Sequence, residues 1–430
     1  TGANNVAVGK DALSANTTAE GNVAVGKGSL STNILGSKSV AIGMEALATQ
    51  NPASAVAMYN VAVGHDAGYA ITTGVQNTII GGLAGDANTT GGNNTAVGYK
   101  SLSANTTASF NAALGMESLR DNTTGTNNTA IGGYQTLIVN TTGSDNTAVG
   151  RAALAANTTA SNNTAVGKSA LAANTTSPNN VAVGYNALDA QTTGAGYNVA
   201  VGYNTLTANT SGTENTASGW NALGANTTGS FNTAYGGGTL DANTTADYNT
   251  GIGWKALTAH TTGASNTAIG AQALMTNTTA ANNIAVGISA LKLNTTGASN
   301  VAVGANALDA NTTAANNVAV GLAALGANTT GTPNVAVGHR ALDANTTAGS
   351  NTAVGYDALG ANTTASNNTA VGTNALLANT TGASNTSVGA SALIANTTGG
   401  SNTAVGQGAG ATITTGSNNV CIGKGTDVNT

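Results

Sequence analysis

The feature that most constrains this chain is a phrase of about 17 residues that returns along its whole length. "NNTAVGYKSLSANTTAS" at 93–109 is followed directly by "FNAALGMESLRDNTTGT", and variants continue to the last residues. Taking the glycine of "AVG" as position 0 gives 25 anchors, from Gly9, Gly26 and Gly43 through to Gly406 and Gly423. Nearly all are 17 apart; the exceptions are single insertions near Gly133 and in "TTGAGYN", and a longer one at "NPASAVAMYN". Position −4 is Asn in every repeat except one, which has Ser39. Position −1 is typically Val or Ile, Leu stands at +4 in 20 repeats and at +5 in one more (Leu137, after the inserted residue), and position +7 is the Asn of "NTT". A unit this short cannot bury its own Val and Leu, but stacked units bury them as columns. The expectation is one continuous domain over 1–430: an all-β parallel solenoid or β-roll of about 25 coils, with room for short helical turns.

Within a coil, "NTAVG" or "NVAVG" alternates as a short strand does, pairing in parallel with the next coil. The Thr/Val and Val/Ile positions share one face, read as the core; Ala takes the other, as at Ala7, Ala96, Ala200 and Ala336. An outer face of alanines lets a second chain approach closely, so lateral association through it is expected. Ser218 and Tyr235, at the Val position of adjacent repeats, then read as a volume trade inside that core. The stretch after the anchor, with Ala-Leu among charged residues, is readable either as a second short strand or as a single helical turn. "NTTG" closes the coil, since Asn tolerates left-handed angles and Gly adopts them freely. Gly68, Gly85 and Gly410 stand where Leu is expected; Ile71 and Ile413 are placed to fill the gap in two of these coils.

Stacked identical amides can hydrogen-bond along a solenoid, as they do in cross-β ladders. The "NTT" asparagines, among them Asn16, Asn105, Asn157, Asn226, Asn311 and Asn396, are read as such a ladder. The rival is N-glycosylation, because "NTT" fits the acceptor pattern. Substitutions favour the ladder: Gln191 and His260 keep a hydrogen-bonding side chain in the column, and Asn33 is followed by Ile34-Leu35, which is no acceptor site.

Chemistry-bearing residues are sparse: 6% of residues are charged, and the net charge of −5 includes no basic run. That argues against nucleic-acid binding, which needs a Lys/Arg footprint. No apolar stretch approaches the length of a membrane span, so insertion is not expected either. His65, His260 and His339 lie far apart and the one cysteine, Cys421, has no companion, so no metal or cofactor is expected and no catalytic residue is assigned. Asp309 and Asp343 share a column two coils apart, roughly 9.5 Å by strand spacing, which would suit an inverting carboxylate pair. Unpartnered Asp86, Asp189 and Asp241 in the same column favour a plain acidic position. The column immediately after the anchor is different: it carries Tyr99, Tyr185, Tyr203, Trp220, Trp254 and Tyr356, with Lys, Arg or His in other coils. Aromatics beside cations can stack on a sugar or on another protein surface, or simply cover the coil edge.

"NNVAVGK" and "KSVAIGMEALA" resemble the "SVAIG" coils of trimeric autotransporter adhesin heads, and "NTAVGYxAL", as at 351–359, resembles repeat arrays of bacteriophage tail fibres and related bacterial surface proteins. The adhesin coils are shorter than the coil repeated here. The resemblance implies left-handed parallel β-rolls wound in threes, an extracellular, cell-surface or virion location, and a structural fibre, shaft or head. Partners would then be further copies of the chain, laterally as trimers or end to end as filaments, and a host receptor or glycan. The repeat phrase runs nearly to both ends, so a segment of a longer fibre is expected. Two other functions fit the repeat less well: an adhesin using the aromatic column, and an ice-binding solenoid. Ice faces want alternating threonines on one side, whereas adjacent "TT" turns them to opposite sides.

Overall fold

In the computed structural model, residues 2–427 are described, and none of them is helical. The chain is a parallel β-solenoid of about 25 coils with a 17-residue repeat. It divides into two compact units, Thr1–Asn215 and Thr216–Thr430. In the first, strands Val6–Val8 to Val199–Val201 stack coil on coil, and a small second pair, Gly36–Ser37 with Val56–Ala57, forms at the long insertion. In the second, the stack runs from Thr216–Ser218 to Val420–Ile422. Register is identical from coil to coil: Val301 faces Val318, Ala302 faces Ala319 and Val303 faces Val320.

The strand is turned the other way from the expectation. The Ala column is the core: Ala302, Ala319 and Ala336 are fully buried, while Val303 and Val335 are 37% exposed. Ala packs inward with the Leu column, the small residue at position +3 and both Asn columns, all of them buried. A 17-residue coil is too narrow for two bulky columns to face each other. One Leu per coil fills the interior, and the opposing strand must offer a methyl. Lateral association through an alanine face is therefore ruled out, and Ser218 and Tyr235, both outward-facing, are not a core volume trade.

Real compensation occurs inside. Ile79 stands in the Ala column, and its Cδ1 lies 3.1 Å and 3.0 Å from where Gly68 and Gly85 would carry a Cβ. It therefore occupies space vacated by two missing leucines. Ile71 and Ile413 fill the same kind of gap, their Cδ1 atoms 3.0 Å from the Gly68 position and 3.2 Å from that of Gly410. Gly251 makes the opposite trade, replacing Ala where Thr239 has grown: a Cβ there would stand 2.6 Å from the Thr239 Cγ2.

The segment after the anchor is neither strand nor helical turn. Positions +2 and +4 are left-handed, as at Asn306 (φ 54°), Leu308 (52°), Ala323 (53°) and Leu325 (52°). Left-handed residues cost L-amino acids roughly 1–2 kcal/mol each, so something must hold them. Their backbone amides reach other coils: Asn306 N–H donates to Ile288 O at 3.0 Å and Leu308 N–H to Ala324 O at 3.0 Å. Ala307 and Asn311 close the turn within the coil, on Gly304 O and Leu308 O. Alternating handedness thus points successive amides to the coil before, the same coil and the coil after. The bend stays hydrogen-bonded like the sheet, as buried backbone must.

Candidate functional site: amide ladders inside, aromatic columns outside

Both Asn columns face inward, the one at −4 on the strand face that carries Ala and the one at +7 beyond the bend. Asn311 Nδ2 donates to Asn294 Oδ1 at 2.8 Å and to Ala314 O at 3.0 Å, while its Oδ1 accepts from Asn328 Nδ2 at 3.2 Å. The second column meets the first at the same carbonyl, for Asn300 Nδ2 also donates to Ala314 O, at 2.8 Å. Asn300 Oδ1 accepts the backbone N–H of Asn317 at 3.0 Å. Asn105 and Asn157 make the equivalent bonds to Asn88 and Asn140, and Asn396 to Asn379. Asn226 Oδ1 accepts from Asn243 Nδ2 at 2.8 Å. Asn16, in the first coil, donates to Ala19 O at 3.2 Å. With Asn311 and its equivalents fully buried and both amide hydrogens committed, these column asparagines are not available for glycosylation in the folded coil.

The exceptions keep part of the bonding and interrupt the ladder: Asn174, Asn243 and Asn396, followed in the next coil by Gln191, His260 and Ile413, each have a buried Oδ1 with no hydrogen-bond partner. Ser39, too short for its column, donates its hydroxyl to Gln50 Oε1 at 3.2 Å; Gln50 replaces Asn in the other column and also accepts from Asn60 Nδ2 at 2.9 Å. His260 accepts at Nδ1 from Asn277 Nδ2 at 3.0 Å and places Nε2 against Gly263 O. A neutral ring protonated on Nε2 satisfies both contacts. Burial lowers the pKa of this imidazole, partly offset by its carbonyl partner.

Outside, the column after the anchor holds its six aromatics at exposures from 39% (Tyr185) to 57% (Trp220). Tyr185 and Tyr203 come together on consecutive coils, stacked at 5.3 Å, with Lys168 Nζ 5.1 Å from the Tyr185 ring. Tyr356 stacks on His339 at 5.3 Å, and Tyr99 has Lys100 beside it at 5.4 Å. Trp220 and Trp254 stand in this column on either side of the Gly237 coil, and a Cβ on Gly237 would lie 3.9 Å from Trp254 Cδ1 and from the Trp220 backbone oxygen; Lys255 Nζ lies 4.8 Å from the Trp254 ring.

A second aromatic column, at position −5, escaped the sequence reading: Tyr59, Phe110, Tyr197, Phe231 and Tyr248, each left-handed and exposed. Phe231 and Tyr248 stack at 4.9 Å, nearly parallel. The signal was present, since this position otherwise favours Asn, Ser and Asp, residues that accept such angles. Residues 220–254 thus gather both tryptophans with Phe231, Tyr235 and Tyr248 on the exposed surface of the second unit.

The carboxylates do not stand at rung spacing. Asp343 Oδ1 and Asp309 Oδ1 lie 2.8 Å and 3.7 Å from the point where a Gly326 Cβ would sit, so the pair leans together over that glycine. They are closer than the separation of roughly 9.5 Å expected from two rungs. Burial raises the pKa of Asp309, with Asp343 adding to it, and burial alone raises Asp189 and Asp241. Arg340 Nε sits 3.4 Å from Asp343 Oδ2 and 3.5 Å from Asp357 Oδ1. Among the described residues no three His, Cys, Asp or Glu side chains converge as a metal site would need. No protein-family model matches the chain, and no curated protein matches it either.

Proposed function

We propose that this chain is a structural fibre protein, a rigid repeat shaft or head carried outside a cell or on a virion, with no catalytic role. What supports the reading is the uniformity of the bonding. Within each unit the coils hand strand and bend to the next in one register, and nearly all of them hand on two amide columns as well. Such bonding fixes a spacing and little else, which is the property a shaft requires. Self-association belongs to the same reading, with the trimer as the arrangement the adhesin resemblance favours. The test is location. An antibody raised against the chain should decorate fibres on intact, unpermeabilised cells or virions of the source; labelling confined to the interior would refute the proposal.

A second reading has its own observation. Trp220 and Trp254 are exposed in one column two coils apart with Gly237 between them, and such flat apolar side chains can stack on the C–H face of a neutral sugar. If the chain is an adhesin, Trp220→Ala with Trp254→Ala abolishes retention on a glycan array and leaves thermal stability unchanged. Retention equal to the parent chain would remove this reading.

A further inference from the structure

Reversing the strand changes which surface is available for assembly. Each of the thirteen strands of the second unit turns positions −3 and −1 outward, and none of these residues is charged. They are mostly Thr or Val at −3 and Val or Ile at −1. Neighbours above and below cover their flanks, so the exposure that remains, such as 36% at Val371 and 40% at Ile252, is the outward face of each side chain. At about 4.8 Å between strands and 3.3 Å per residue, positions −3 to −1 over thirteen strands make an uncharged strip of roughly 600 Å². Soluble monomers rarely expose contiguous apolar patches above a few hundred Å². A standard protein interface needs about 800 Å² per partner.

We infer that this outward sheet face seats a second copy of the same chain, face to face. Two arguments choose that occupant. In one unit alone the uncharged strip supplies most of one partner's share of a standard interface, and the flanking columns at −5 and +1 supply its rim. The pattern is also periodic: side chains recur at every rung with no charge to interrupt them, and only a surface of the same period can interdigitate along the whole face. Natural sheets guard exposed strands with Lys and other charges; here the lysines stand to the side, as Lys255 and Lys424 do at position +2 or +1. Packed sheets sit about 10 Å apart with their side chains interleaved, and β-branched columns suit that spacing. The inference does not depend on the fibre reading, because it rests on exposure and charge alone.

The experiment compares the full 430-residue chain with Val303→Glu/Val320→Glu/Val337→Glu, three consecutive outward positions, by light scattering and sedimentation. The parent should have a mass that is a multiple of 41.1 kDa. The glutamate variant should fall to a single chain with unchanged circular dichroism. Val303→Thr/Val320→Thr/Val337→Thr keeps β-branching and guards against a folding failure; it should raise the dissociation constant at least tenfold or so. A parent chain that stays monomeric at about 100 µM overturns the inference, and so does a folded glutamate variant, or a threonine variant, that assembles like the parent. A monomer that produces thermal hysteresis would also overturn it and assign the face to ice.

Discussion

Replacing Asn311 by Ala tests the ladder where it is fully enclosed. The side chain makes three hydrogen bonds, two donated and one accepted, at 2.8, 3.0 and 3.2 Å. Truncation leaves Asn294 Oδ1 without its donor. Asn328 Nδ2 keeps Gly331 O, and Ala314 O keeps Asn300, so one buried acceptor loses its partner outright and two groups lose one of theirs. An orphaned buried group costs about 1–3 kcal/mol and each further net bond about 1; a small cavity adds to this. The expected loss is about 3–5 kcal/mol, a factor of roughly a hundred or more in local opening. Solenoids need not unfold in one step, so the assay is amide hydrogen exchange resolved to peptides across 290–335. Protection should drop steeply at Leu308 and Thr312, whose N–H groups bond the next coil, and recover a few coils away. Asn16→Ala is the control, since that residue is half-exposed and has a single donated bond; it should cost about 1 kcal/mol or less. Equal effects at the two sites, or less than about 1 kcal/mol at Asn311, would refute the idea that the ladder stabilises the stack.

Three further outcomes follow from the same geometry. Gly321→Ala should destabilise by about 3 kcal/mol or more in chemical denaturation, because φ is +138° and the new Cβ would lie 2.4 Å from Gly338 O. Ala319→Glu should unfold the second unit, costing above about 4 kcal/mol, whereas Val320→Glu next to it should leave the chain folded whatever it does to assembly, a contrast readable by circular dichroism. His260 has a lowered folded pKa, so the unfolded chain takes up a proton first as pH falls below about 6.5. Its contribution is therefore intact above that pH and lost on acidification, by up to about 1.4 kcal/mol per pH unit until the folded pKa is reached. His260→Asn, which restores the column residue, should remove this slope in denaturation midpoints measured from pH 7.5 to 5.

Period, strand position and the identity of the ladder residues could be read from the sequence because each recurs at a fixed offset in nearly every coil. The conformation of Leu308 and its equivalents could not. Leucine has no preference for left-handed angles, and the bend that demands them is set by hydrogen bonds to coils on either side. Hints existed, such as Gly28, Gly238 and Gly408 at +2 and Gly68, Gly85 and Gly410 at +4, all left-handed. They look like ordinary turn residues until the neighbouring coils are in place.

The inside-out strand is the more instructive case, because the sequence contained the answer. In "NTAVG" the alternation fixes two faces but does not say which is buried. Hydrophobicity favours Val, and that choice fails here. Parity decides it. Asn at −4 and Ala at −2 lie on one pleat face, and Thr or Val at −3 and Val or Ile at −1 on the other. A ladder of amides gains most where water does not compete for its donors and acceptors, so treating Asn at −4 as a ladder already commits Ala to the interior. Asn300 and Ala302, both fully buried beside exposed Val303, bear out that logic. In a coil this slim, the polar column identifies the core and the β-branched residues mark the outer face of the sheet, where strand propensity rather than burial selects them.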